Sequence, residues 1–290
     1  MKEPGGDFEE PAPSVAPDPA PPGGRSLAQA AATGTLLLGV VILVGLAGSL
    51  AFFGLICAVA IMATFELLDA LTQTGHRPNV PFGAVCALAM PVLTYLDRPG
   101  LLAVVVAVAM FGSFLLALRP DRGATPASDI AWTILGVIWI GGGGAGAVSI
   151  LTLGPSGALL LTAFVFITAL GDTGAYFSGT IFGKHKLAPS ISPGKTWEGL
   201  AGGIVSSLLA GVACGAALGP LSLVHGLGMG AVVALLAPTG DLVESLVKRE
   251  IGIKDSGRLL PGHGGFLDRL DAMIFCAPFV FLFLRFVARI

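Results

Sequence analysis

The sequence predicts an all-α, polytopic integral membrane protein of about nine transmembrane helices, with a polar site at the cytoplasmic face. Two observations carry that expectation. Hydrophobic residues fill 54% of the 290 positions and charged residues only 12%, roughly half the charged share that wets the surface of a soluble domain. From Leu27 onward, apolar blocks alternate with short polar breaks, and each block is near the ~20 residues that cross ~30 Å of hydrocarbon. The mean hydropathy of +0.87 agrees. A net charge of −2 gives no basic excess that would point to nucleic acid.

Residues 1–26 differ in kind. Pro and Gly dominate them, and Glu3, Asp7, Glu9, Glu10 and Asp18 make them acidic. Such a stretch has too little apolar surface to offset the entropy of ordering, so a disordered tail is expected. It lacks the basic start and short apolar core of a signal peptide.

The predicted spans are 30–48, 50–73, 80–97, 99–118, 128–151, 155–181, 197–219, 222–250 and 267–288. Only Gly48 and Ser49 part the first two, so eight is the alternative count. The organisation expected is the tail 1–26, N-terminal transmembrane helices over 27–153, and a C-terminal transmembrane region over 154–290 that holds the chemistry. Cys57, Cys86, Cys214 and Cys276 all fall in apolar blocks without CxxC spacing and read as packing residues.

Charge sets the orientation. Breaks after even-numbered spans carry Arg77, Arg119, Arg122, Lys184, Lys186, Lys195, Lys248, Arg249, Lys254, Arg258 and Arg269. The odd breaks carry Arg98, with Arg285 and Arg289 at the far end. The positive-inside rule puts the even breaks in the cytoplasm, with the N-terminus inside for nine spans and outside for eight. The basic loop 182–196 and the polar stretch 248–265 then emerge on the same cytoplasmic face.

Ionisable groups are costly in a bilayer and rarely stand there without a role. Three clusters stand out. In the first, Asp172, Tyr176 and Gly179 share a helical stripe; the plainer reading is glycine-mediated helix packing. The second runs from Lys184 to Gly199 and includes Ser192, Lys195 and Thr196. Its GKT is no P-loop, because Pro189 stands where that pattern needs Gly. A short basic loop of this kind suits phosphate, or is an ordinary cytoplasmic loop.

The third cluster is the densest. Asp241, Ser245, Lys248 and Arg249 share one helical face, and Asp268 and Asp271 lie three apart on the helix that follows. Between them Pro261-Gly-His263-Gly-Gly breaks any helix and lets backbone approach a ligand. Two carboxylate-bearing helix ends can share hard cations through oxygen, and the basic residues nearby suit a polyphosphate. Metal-assisted phosphoryl or nucleotidyl transfer fits this set. A mutually neutralised salt-bridge cluster is the bland alternative.

The run from Ser245 through Lys248-Arg249, Lys254-Asp255, Gly257 and Pro261-Gly-His263-Gly-Gly to Asp268-Arg269-x-Asp271 resembles the signature of phosphatidate cytidylyltransferases. The upstream runs Gly171-Asp172-x-x-Ala175-Tyr176 and Ser192-Pro193-x-Lys195-Thr196-x-Glu198-Gly199 also resemble that family, with Gly194 where a Lys is common. The specific likeness covers about residues 165–275.

The resemblance implies that CTP and phosphatidate are joined into CDP-diacylglycerol with release of diphosphate. It implies Mg²⁺, with K⁺ beside it. Asp241 and Asp268 are implied as metal ligands, with Asp172 and Asp271 as further members. Lys195, Lys248, Arg249 and Lys254 are implied to hold phosphate, Ser245 to offer a hydroxyl near the metal, and His263 to touch phosphate or tune a carboxylate; a helix-capping role is the alternative for His263. Ser192, Thr196, Tyr176, Asp255 and Arg269 complete the expected substrate contacts. A homodimer in a bacterial plasma membrane is the expected setting. The rival readings are a CTP-dependent transferase acting on an isoprenoid phosphate or polyprenol, and a secondary transporter with carboxylates at broken helices.

Overall fold

The computed structural model describes residues 39–118, 125–253 and 265–290. The acidic tail and the expected site residues Lys254, Asp255 and His263 lie outside these described residues.

The protein is an all-α membrane protein, with one small hairpin added. Helix α1 occupies residues 39–47. Gly48 follows with φ of 104°, a left-handed conformation that glycine adopts without strain, and breaks the chain between the first two predicted spans. Then come α2 (Ser49–Gln73), α3 (Val80–Tyr95) and α4 (Leu102–Ala117). The side chain of Asn79 caps α3 by accepting from the Phe82 N–H at 3.1 Å. Helix α5 (Pro126–Gly136) runs through a π turn at Val137–Gly141 into α6 (Gly142–Leu151).

The C-terminal part holds α7 (Gly157–Phe182), strands β1 (Lys186–Ala188) and β2 (Ser192–Thr196), α8 (Trp197–Ala217) and α9 (Leu223–Glu250). A single 3₁₀ turn, Leu267–Arg269, leads into α10 (Asp271–Leu282).

Six helical stretches among the described residues are long and apolar enough to cross a membrane: Ser49–Gln73, Pro99–Ala117, Pro126–Leu151, Gly154–Phe182, Trp197–Ala217 and Leu223–Glu250. The count of about nine is not confirmed, and residues 30–38 of the first expected span lie outside the described residues. Helix α3 has 16 residues, about 24 Å at 1.5 Å per residue, and is short of the hydrocarbon thickness. Helix α10 has 12 residues before a π turn at Phe283–Val287. Hydropathy registers an apolar block but not where its helix stops.

Small residues let the C-terminal helices touch backbone to backbone. A Cβ on Gly203 would lie 3.0 Å from that of Ala175, joining α8 to α7, and one on Gly226 would lie 2.8 Å from Cα of Gly215, joining α9 to α8. Close approach of this kind holds helices together where lipid removes the hydrophobic drive. The largest buried apolar cluster unites Phe52 and Ile56 of α2 with Phe164 and Ile167 of α7, Met229 and Val233 of α9 and Cys276 and Val280 of α10. The C-terminal helices are thus packed on one core shared with α2.

Candidate active site

The basic loop predicted over 182–196 is largely an antiparallel hairpin, with Lys186 opposite Thr196 and Ala188 opposite Ser192. Its base is fastened by Glu198 in the first turn of α8. One Glu198 oxygen lies 2.6 Å from His185 Nδ1. The other accepts from the backbone N–H groups of Lys184 and His185 at 3.2 and 3.3 Å. Thr196 caps α8, its hydroxyl accepting from the Gly199 N–H at 3.1 Å. At the turn end, Arg249 of α9 donates its Nε–H to the Ile191 carbonyl at 3.2 Å. The hairpin is therefore held at both ends, with Lys195 on the strand between.

Lys195 reaches across to α9, where its Nζ lies 2.8 Å from Asp241 Oδ2. One turn before Asp241, Pro238 withdraws a backbone hydrogen bond from the helix. Beyond it, Asp241, Glu244 and Lys248 follow one another along one side of α9. Asp271, at the start of α10, completes a group in which Asp241, Glu244 and Asp271 place ligand oxygens all within 4.8 Å of one another. Glu244 and Asp271 are buried.

Lys248 bridges the next layer, with Nζ 3.0 Å from Glu244 Oε2 and 2.7 Å from Asp268 Oδ1. The second oxygen of Asp268 accepts from the Gly265 N–H at 3.0 Å. Asp172 on α7 stands exposed, within electrostatic range of Asp271, Asp241 and Lys195.

Asp241, Asp271, Lys195 and Lys248 thus converge as members of one constellation. Asp268 joins it through Lys248 and through a side-chain hydrogen bond with Glu244, beside the three-oxygen group. Arg249 spends a donor on the hairpin. Ser245 lies half-buried on α9, Ser192 opens β2, Tyr176 is exposed on α7 with its ring edge-to-face on Phe177, and Arg269 is exposed at the end of the 3₁₀ turn.

Two site residues escape sequence reasoning. Glu244 sits in the third cluster but reads as a neighbour of Asp241 rather than as part of its group. Glu66 lies far away in sequence, in the last third of α2 and three residues before Asp69. It is buried, and its carboxylate accepts from the backbone N–H groups of Phe266 and Leu267 at 2.8 and 3.2 Å. An acidic residue inside an apolar span is the signal that could have found it.

Three carboxylates packed this closely, two of them buried, repel one another unless a cation or shared proton joins them. Oxygens within 4.8 Å suit a hard divalent ion with ligand distances of about 2.0–2.6 Å. Lys195 contacts the group at Asp241, and Lys248 divides its charge between Glu244 and Asp268. The donor set fits a divalent metal beside a basic hairpin.

Residues 28–287 match the cytidylyltransferase family. The chain belongs to that family. The likeness read from motifs over about 165–275 therefore extends through the N-terminal helices. The phosphatidate cytidylyltransferase of Mycobacterium bovis is 34% identical over 275 residues, covering 87% of this chain and 86% of that protein. That of Haemophilus influenzae is 42% identical over 134 residues, 44% of this chain and 46% of the relative. The uncharacterized protein YnbB of Escherichia coli is 45% identical over 130 residues, 45% of this chain and 44% of YnbB. Those two matches span less than half of the relatives, whereas the mycobacterial match is nearly end to end.

Proposed function

We propose that this chain is a phosphatidate cytidylyltransferase of a bacterial plasma membrane, transferring cytidylate from CTP to phosphatidate with release of diphosphate. The observation that carries this reading is the group Asp241, Glu244 and Asp271 with Lys195 beside it. The family membership and the names of the relatives agree with it.

A phosphate oxygen of phosphatidate attacks the α-phosphorus of CTP. The new P–O bond forms as the bond to the β-phosphate breaks, and diphosphate departs with that electron pair. No protein nucleophile is required, since a phosphate monoester is largely dianionic near neutral pH. What opposes the reaction is repulsion between two anions. Lys195 is positioned by the hairpin to exchange its contact with Asp241 for a phosphate oxygen, and Lys248 keeps Glu244 and Asp268 from repelling incoming charge. Asp241, Glu244 and Asp271 would hold Mg²⁺, which when bound neutralises phosphate oxygens and charge building on the leaving group. Asp172 is near enough to join them. Asp268 would serve through Lys248 and its hold on the Gly265 amide.

The site faces the cytoplasm in this reading, because the loops that carry its bases are the Lys- and Arg-rich ones. CTP then arrives from water and phosphatidate from the inner leaflet. The purified protein should release diphosphate from CTP on addition of phosphatidate and Mg²⁺. Activity with a polyprenol or isoprenoid phosphate in place of phosphatidate would redirect the assignment within the family, and no release with any lipid would overturn it.

A further inference from the structure

An apolar cavity of about 110 Å³ lies between α2, α6, α7 and α10. Val59 and Ala60 of α2, Ala147 of α6, Val165 of α7 and Met273 and Ile274 of α10 are among its walls. Among the described residues no ionisable side chain lines it. It is a partly open recess between the helices rather than an enclosed void, and its walls are almost wholly apolar.

Its position gives it meaning. One end is formed by Leu270, the residue before Asp271 of the carboxylate group. Along α2 the lining extends from Ala60 back to Phe52, about 12 Å of helix at 1.5 Å per residue. Glu66 lies on the same helix on the other side of Ala60, at the level of the Phe266 and Leu267 backbone. The cavity therefore runs from the level of Leu270, next in sequence to Asp271, along α2 and α10 away from Glu66, with none of the three carboxylates in its walls.

We propose that this cavity seats one acyl chain of the lipid substrate while its phosphate lies at Asp241, Glu244 and Asp271. The inference rests on reading the chain as a phosphatidate cytidylyltransferase. An apolar, uncharged recess with one wall residue, Leu270, next in sequence to Asp271 matches a molecule with a phosphate at one end and hydrocarbon at the other. Leaving lipid for an apolar cavity gains little hydrophobic energy, since lipid tails are equally apolar. The cavity's effect is instead to orient the headgroup and to discriminate chain length.

The test compares the full-length protein with Ala147→Phe, which fills the cavity from α6, and with Val59→Phe, which fills it from α2. Val205→Phe on the exposed face of α8 is the control. Each is assayed in mixed micelles with dioleoyl and with dihexanoyl phosphatidate. The cavity variants should lose about tenfold or more in kcat/KM on the dioleoyl lipid and stay within about twofold on the dihexanoyl lipid, while the control keeps both. An equal fall on both lipids in both cavity variants, or an unchanged profile in both, overturns the acyl assignment. An unchanged profile is also what occupation by residues 1–38 or by a structural lipid would give. A wild-type protein that turns over neither phosphatidate removes the parent reading instead.

Discussion

The carboxylate of Glu66 accepts the backbone N–H of Phe266 at 2.8 Å, across 200 residues of sequence. A second bond from Leu267 makes the grip two-pronged. It fixes the backbone that presents Asp268, and with it the partner of Lys248. Glu66→Ala leaves two N–H groups without their acceptor, at about 1–3 kcal/mol. Phosphatidate-dependent diphosphate release should fall about tenfold or more, with Glu66→Gln, which keeps one acceptor, retaining more activity than Ala. Equal activities of the two variants would contradict this role.

Lys248 is the neutralising centre of the site, in contact with Glu244 and Asp268 while its own side chain is 13% exposed. Removing one member of a buried charge network costs about 3–5 kcal/mol. Lys248→Met should lower the unfolding temperature in detergent and abolish turnover. Retention of both would show that the two carboxylates manage without it.

Lys195 and Asp241 form a pair open on one side only, Asp241 being 48% exposed and Lys195 20% with its Nζ buried. Solvent on the Asp241 side screens the pair. Lys195→Ala should therefore lower the unfolding temperature less than Lys248→Met does, while raising the KM for CTP. A large loss of stability with a normal KM would recast the pair as structural.

Gly240 governs the spacing of α9 and α10 at the metal group. A Cβ there would come within 2.8 Å of Phe275 Cβ and 3.4 Å of Ala272 Cα. Overpacking of this kind costs about 1–3 kcal/mol. Because Gly240 adjoins Asp241 and Ala272 adjoins Asp271, Gly240→Ala should part the two carboxylates and raise the Mg²⁺ concentration needed for half-maximal activity. An unchanged Mg²⁺ dependence would show that the helices yield elsewhere.

Much of this arrangement was legible in the sequence, for definable reasons. Hydropathy located the apolar blocks because lipid is a uniform solvent, but helix ends depend on local features such as the left-handed Gly48, which hydropathy does not register. The density of Asp, Lys and Arg between Asp241 and Asp271 pointed to the site because charge is rare in such a chain. The pairing of Lys248 with Asp268, rather than Asp268 with Asp241, depends on how α9 meets the 3₁₀ turn, and no spacing encodes that. The hairpin was hidden because strands of three and five residues are too short to show alternation. Glu66 was hidden because its partners are backbone amides, which have no signature in sequence.

In the proposed mechanism Asp241, Glu244 and Asp271 together hold a divalent cation. Manganese binding, followed by electron paramagnetic resonance on the purified protein in detergent, reports on that site without relying on turnover. Wild type should bind Mn²⁺ in competition with Mg²⁺, and Asp271→Asn and Glu244→Gln should each weaken that binding at least about tenfold while remaining folded. Wild-type affinity in both variants would contradict the assignment of the metal to this group.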